Sequence, residues 1–255
     1  MTDGDHWTDR YYGALYAESV ADLLTPGLSA LEAEVIAFLL GLGPRDRVLD
    51  LACGHGRHAR VLAERVGAVV GLERSGEYLR RATATPTATS PLYLRGDVRS
   101  LPFATGAFDA AYSWYASLFM FDDALNAACL TDLGRVVRRG GRVLVHHANP
   151  LALARHPHET ARRTLPDGSV VEEESRFDPV RGVDRCARRL VRPCGDALEA
   201  TAELRYYRPS EWRMLARAAG LRLLGVTTTP DAASGPRPEP GPEAPDLIAL
   251  LEKPT

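Results

Sequence analysis

The chain has 255 residues, 45% hydrophobic and 25% charged, enough to bury a full core as one α/β domain with an insertion or as two small domains. Its formal net charge of −2 offers no basic face for nucleic acid. Four scattered cysteines without a CxxC pair, no apolar leader and no apolar stretch long enough to cross a bilayer read as a cytoplasmic protein with reduced thiols and no membrane contact.

Every basic residue except Lys253 is arginine, a coding bias expected of a GC-rich genome such as an actinomycete's. Helical spacing runs through YYGALYAESVADLL and LSALEAEVIAFLLGLG, the second ending in glycines. RVLDLA then reads as a strand, GRHARVLAERVG as a helix and AVVGLE as a second strand. GEYLRRATA is a short helix, TPTATSP a loop, and LYLRGDV and FDAAYSWY the third and fourth strands. DDALNAACLTDLGRVVRRGG is predicted to be a helix ending at its glycine pair, and RVLVHHANP the fifth strand. Short apolar strands alternating with helices predict a doubly wound, mostly parallel sheet.

After Pro150 the pattern changes. SVVEEESRFDPVRGVDRCARRLVRP and ALEATAELRYY alternate about a DPVRG turn, predicting an inserted antiparallel β-hairpin. PSEWRMLARAAG opens as a helix capped by Ser210, LRLLGVTTT is a strand, PDAASGPRPEPGPEAP is a loop or partly disordered, and DLIALLEKP is the last strand. The expected organisation is a helical lid over residues 1–46, a core over 47–150, an antiparallel roof over 151–207 and the rest of the core sheet over 208–255.

Gly54-His55-Gly56-Arg57-His58-Ala59 fits the G-x-G-x-x-G/A dinucleotide pattern, which is weak alone. Asp50 ends the strand before it. A buried carboxylate there repels a pyrophosphate but suits a cationic cofactor such as S-adenosylmethionine (SAM), whose ammonium and sulfonium need partners. Glu73 ends the second strand, where an acid takes both ribose hydroxyls, and Asp97 ends the third, where a carboxylate accepts from an adenine amino group.

VLDLACGHGRHARVLAERVGAVVGLERS, LRGDVRSLPFATGAFDAAYS and RVVRRGGRVLVHHANP together resemble the successive motifs of class I SAM-dependent methyltransferases, over Arg47 to Pro150 with a weaker match from Tyr206 to Pro254. The resemblance implies a Rossmann-like seven-stranded sheet whose last strand is antiparallel. It places Asp50, Ala52, Gly54 and Gly56 along the methionine part of SAM, Glu73 and Arg74 by the ribose, Asp97 and Val98 at the adenine, and Ser113 near the sulfur. CGHGRHA, the hairpin and LRYYRPSEW are similar to small-molecule methyltransferases that tailor antibiotics in actinomycetes, the lincosamide N-methyltransferases among them. In those, an aromatic N-terminal segment closes over the cofactor; here Tyr11, Tyr12 and Tyr16 supply it. Many relatives carry glycine at the position of Phe119, which becomes a candidate wall beside the methyl group.

These features imply methyl transfer from SAM to an amine nitrogen of a small-molecule acceptor, without a metal. A small-molecule O-methyltransferase or an NAD-binding oxidoreductase is the alternative. Tyr16 and His147 are the candidate catalytic residues. His146 and His147 end the fifth strand and alternate to opposite faces, so at most one sees the site directly. Trp114, Tyr115, Arg205 and Tyr207 are candidates to bind the acceptor. Cys53 is expected as a small residue beside the cofactor, and His156-Pro-His158-Glu159 as a loop without a metal. The N-terminal segment and the hairpin are the places where subunits of a homo-oligomer would meet.

Overall fold

A computed structural model describes residues 7–85, 89–115, 117–229 and 240–255. The N-terminus before Trp7 and parts of the two loops expected after Ala84 and Thr229 lie outside these. The elements are α1 (Trp7–Tyr11), α2 (Ala14–Ser19), α3 (Pro26–Leu40), β1 (Arg47–Leu51), α4 (Arg57–Leu62), β2 (Ala68–Glu73), α5 (Gly76–Ala84), β3 (Leu92–Arg95) and β4 (Phe108–Ser113). They continue with α6 (Asp123–Val136), β5 (Val137–Ala148), α7 (Pro150–Leu153), β6 (His158–Thr164), β7 (Val170–Asp178), β8 (Val183–Val191), β9 (Ala197–Arg205), α8 (Pro209–Ala218), β10 (Arg222–Thr227) and β11 (Asp246–Glu252).

Seven strands form one sheet in the order β10-β11-β5-β4-β1-β2-β3. β11 runs antiparallel to both its neighbours, and the β1–β5 pairings are parallel. Strand order reverses between β1 and β4, so the carboxyl ends of those strands flank the crevice where ligands of such sheets bind. The strands are apolar on both faces because helices cover both. One core lies under α6 and α8 and includes Leu49, Leu130, Leu133 and Trp212; the other lies under α3 and α4 and includes Ile36, Leu62, Tyr112 and Leu144.

Local signals set the element ends. Thr25 caps α3, its Oγ1 accepting from Leu28 N at 3.2 Å, and Gly41 ends that helix in the left-handed region at φ 66°. Ser75 caps α5 and Asp122 caps α6. α8 starts two residues earlier than a Ser210 cap implies: Pro209, with its fixed φ, takes the first helical position, and Glu211 accepts from Arg208 N at 2.7 Å, so Ser210 is not the cap.

Three expectations change. The expected first helix breaks at Tyr12–Gly13 into α1 and α2. The glycine pair Gly140–Gly141 does not stop α6 but lies within β5, where Gly140 takes φ 71° and donates its N–H to Lys253 O at 2.8 Å. The inserted hairpin is a four-stranded antiparallel sheet, β6-β7-β8-β9, because residues 158–164 form a strand rather than a loop. α1 and α2 lie on the inner face of this sheet. Leu15 packs with Leu165, Val171 and Leu190, and Arg192 clasps Glu18 with contacts of 2.9–3.1 Å.

Candidate active site

A cavity opens at the carboxyl ends of β1, β2 and β4, about 1100 Å³ counting the open space at its mouth. The chain enters it from β1 through Ala52, whose φ of 58° is rare for a residue with a side chain, and Gly54, whose φ is 55°. A Cβ on Gly54 would meet nothing within 4 Å, so the backbone faces open space there. Gly56 differs: a Cβ on it would strike the Tyr93 ring, and it does not border the cavity. Its glycine is required by packing.

Asp50, Glu73 and Asp97, from three successive strand ends, all line this cavity. Asp50 is 3% exposed, and its Oδ2 has no hydrogen-bond partner. Burial pushes its carboxyl up to about 7, against the opposing influence of Tyr112 and Arg57. Such a group gains most from a bound cation. Glu73 accepts from Gly54 N at 2.9 Å and from Ser75 N at 2.7 Å, which fixes the carboxylate at the rim of the glycine turn. Asp97 is held by Arg99 through Nε at 2.9 Å and Nη2 at 2.6 Å, with Arg74 at 3.5 Å. Arg74 and Val98 complete that end. The residues present therefore fit SAM: a buried carboxylate with one oxygen unbonded for its positive groups, an acid at the second strand end for a diol, and open backbone between.

Glu32, which sequence reasoning missed, organises the opposite wall. It comes from the middle of α3, is 3% exposed, and gathers Arg57, His58 Nε2 at 3.0 Å, Trp114 Nε1 at 3.2 Å and the Tyr115 hydroxyl at 2.7 Å. Burial opposes its ionisation, but these hydrogen bonds and the Arg57 charge lower its pKa to about 2. All four partners line the cavity. His58 is neutral, its pKa lowered to about 4 by burial, so its Nε2 carries the proton it donates to Glu32. Tyr12 and Tyr16 close the cavity from the N-terminal side, with Ser117, Met120 and Phe121 on the loop after β4.

The remaining expected residues stand elsewhere. Tyr11 lies beneath the Arg188 guanidinium, 5.3 Å from its ring centroid, on the side away from the cavity. Ser113 is 1% exposed within β4 and does not reach the lining. Phe119 is fully buried against Tyr207, Trp212 and His147. His147 is also fully buried; its Nδ1 donates to Ala148 O at 2.7 Å and its Nε2 accepts from Trp212 Nε1 at 2.9 Å. Both ring nitrogens are used, and burial lowers its pKa to about 4. Arg205 and Tyr207 meet at Asp123, at 2.9 and 2.8 Å, and fasten the loop after β4 from behind. Arg205 also borders a second groove, beyond Met120 and Phe121. His158 meets Glu174 on the exposed face of the small sheet, and no group of three metal-ligating side chains is found among the described residues.

Chemically, the lining offers aromatic walls and a weak choice of bases. Burial raises the hydroxyl pKa of Tyr16, so it stays protonated and is a poor base. Burial lowers His55 to about 4, and His58 is tied to Glu32.

Residues 48–141 match the family model described as a methyltransferase domain. The chain is 34% identical over 135 residues to the 2-phytyl-1,4-naphtoquinone methyltransferase of Synechococcus elongatus, covering 50% of this chain and 57% of that protein. It spans about half the length of such curated relatives. The fold is similar to that of the CcbJ methyltransferase from Streptomyces caelestis, with TM-score 0.80 and 20% identity over 97% of this chain and 99% of that one. It is also similar to SAM-bound CalS10, an amino pentose methyltransferase from Micromonospora echinaspora involved in calicheamicin biosynthesis, with TM-score 0.65 and 17% identity over 93% and 96% of the two chains. Residues 48–141 are thus matched by the methyltransferase domain family, and the whole chain takes the α/β fold of the SAM-dependent methyltransferases.

Proposed function

We propose that this protein is a cytoplasmic SAM-dependent methyltransferase that methylates an amine nitrogen of a small-molecule acceptor, a secondary-metabolite precursor of the antibiotic-tailoring kind. The observation that carries it is the cavity on which Asp50, Glu73 and Asp97 converge from three strand ends, with Asp50 buried and its Oδ2 without a hydrogen-bond partner. SAM, when bound, supplies an electrophilic methyl on a sulfonium. The chain's residues hold and enclose. Asp50 would stabilise the positive end of the cofactor, Glu73 its ribose and Asp97 with Val98 its adenine; Ala52 and Gly54 let the backbone approach.

The acceptor side would be bounded by Tyr12, Tyr16, Tyr115, Met120 and Phe121, whose side chains exclude water, and the four aromatic rings favour a developing ammonium. Nitrogen is preferred over oxygen because a neutral amine needs no strong base, whereas a hydroxyl benefits from one, and the lining holds no histidine poised near neutrality. The amino pentose methyltransferase among the fold relatives supports the same class.

Calorimetric titration of S-adenosylhomocysteine (SAH) and SAM into the wild type and Glu73→Ala, with NAD as control, tests it. The expected result is micromolar binding of both adenosyl ligands, weakened at least tenfold by the substitution (about 1.4 kcal/mol). Failure of both to bind the wild type overturns the reading; binding of NAD alone would point to the dinucleotide alternative.

A further inference from the structure

Tyr115 stands on the cavity wall in a backbone conformation that residues with side chains rarely adopt, at φ 57°. Its N–H is taken by a side chain: it donates to His146 Nδ1 at 3.1 Å. A main-chain N–H can only donate, so Nδ1 carries the lone pair and the imidazole proton sits on Nε2. That nitrogen faces Asp246 Oδ2 at 3.2 Å. Asp246 opens β11, the strand beside β5, and is itself fixed by Thr228 Oγ1 at 2.6 Å and Thr229 N at 2.9 Å. His146 is 4% exposed and stacks on Trp114 at 4.3 Å between centroids, 8° from parallel. Its partners leave the ring one orientation and one tautomer.

We propose that His146 is a positioning residue: backed by Asp246, it holds the left-handed backbone of Tyr115, and with it the Tyr115 ring and the start of the loop bearing Ser117, Met120 and Phe121. The assignment of that wall to the acceptor and cofactor rests on the function proposed above. Glu32 fixes the far end of the same side chain, at the hydroxyl. Tyr115 is therefore clamped at both ends, by groups from α3 and β5 that are 114 residues apart in sequence numbering. Without the Nδ1 acceptor, the N–H loses its partner, the backbone relaxes toward an ordinary φ, and the ring leaves the wall.

Two substitutions separate this role from mere bulk. His146→Asn places an amide oxygen where Nδ1 stands; His146→Gln extends its polar end toward the place of Nε2 and Asp246 but offers Tyr115 N–H no acceptor. Amide hydrogen exchange of Tyr115, read by NMR on the full chain, should be at least a hundredfold faster in His146→Gln than in the wild type and restored within tenfold in His146→Asn. SAH affinity should fall about tenfold in the Gln variant and stay within threefold in the Asn variant. Equal behaviour of the two variants, or an unprotected Tyr115 amide in the wild type, overturns the proposal. Imidazole ¹⁵N shifts of the wild type give a test that needs no variant: protonation at Nε2 supports the clamp, and protonation at Nδ1 overturns it. A wild type that binds no SAH refutes the proposed function, while amide exchange and the ¹⁵N shifts still decide the clamp.

Discussion

The Tyr115 hydroxyl donates to Glu32 Oε1 at 2.7 Å, joining the cavity wall to the middle of α3 across 83 residues of chain. Trp114, His58 and Arg57 converge on the same carboxylate, so Glu32 holds α3, the helix after the glycine turn and the loop after β4 in common register. Glu32→Gln keeps the shape but leaves Arg57 without its counter-ion. Breaking a buried pair from one side costs about 3–5 kcal/mol, and urea denaturation at pH 7 should show a loss near the lower end, because glutamine retains some of the hydrogen bonds. The folded pKa lies near 2, below the ordinary 4.5. The contribution is therefore complete above pH 4.5 and disappears as pH falls toward 2. The gap between wild type and variant should close over that window; a gap constant down to pH 2 would show that the carboxylate charge is not what stabilises.

Asp50 has the opposite sign. Its folded pKa is raised to about 7 from 3.8, so the ligand-free protein loses stability as pH rises from about 4 to 7, and the whole penalty is present above 7. Asp50→Asn should melt higher than the wild type at pH 8, by on the order of 3 kcal/mol, and equal it at pH 4. The same variant should bind SAM at least tenfold more weakly at pH 8, where the wild-type carboxylate is ionised. Binding of SAM to the wild type at pH 7 should release protons, seen as an enthalpy that changes with the ionisation heat of the buffer. An enthalpy independent of buffer would show that Asp50 does not meet the positive end of the cofactor.

Arg188 on β8 holds the N-terminal helices by a different physics. Its guanidinium lies 4.7 Å from the Tyr16 ring centroid and 5.3 Å from that of Tyr11, and its Nε donates to Glu173 at 2.7 Å. The side chain is 11% exposed, a setting where cation–π contact is worth up to about 2 kcal/mol. Arg163 and Arg192 reach the same helices, pairing with Asp22 and Glu18, but from positions a quarter to a third exposed, where such pairs contribute about 0–1 kcal/mol. Arg188→Met should therefore speed proteolysis within residues 7–19 at least tenfold, and Arg163→Ala or Arg192→Ala less than threefold. Equal effects from all three would mean that the ion pairs, and not the aromatic stack, secure the segment.

What was legible in the sequence follows the range of the interactions. The glycine turn and the acids of β1, β2 and β3 announce themselves because each sits at a strand end, at a fixed offset from an apolar run. Glu32 does not. In LSALEAEVIAFLL a glutamate reads as part of a solvated helix face, and only the tertiary approach of Arg57 and Trp114 makes it the centre of a buried network. β6 escaped for a related reason. HETARRT is an edge strand exposed along nearly its whole length, so it carries no apolar alternation, and pairing with β7 alone defines it. Phe119, after β4, is expected beside the methyl group and His147, at the end of β5, as a catalytic residue, but packing against Trp212 turns both into the core beneath α8.

His147 is consequently expected to govern stability. Its Nε2 accepts from the Trp212 indole N–H, itself fully buried. His147→Phe preserves an aromatic stack on Trp212, now at 5.6 Å and 13°, but removes the acceptor. Leaving one buried donor unsatisfied costs about 1–3 kcal/mol, which thermal denaturation should register. SAH affinity should change less than threefold, because the ring stands behind Phe119 and outside the cavity. If instead the variant melts like the wild type and loses SAH binding at least tenfold, His147 reaches the cofactor in solution by a rearrangement of the loop after β4.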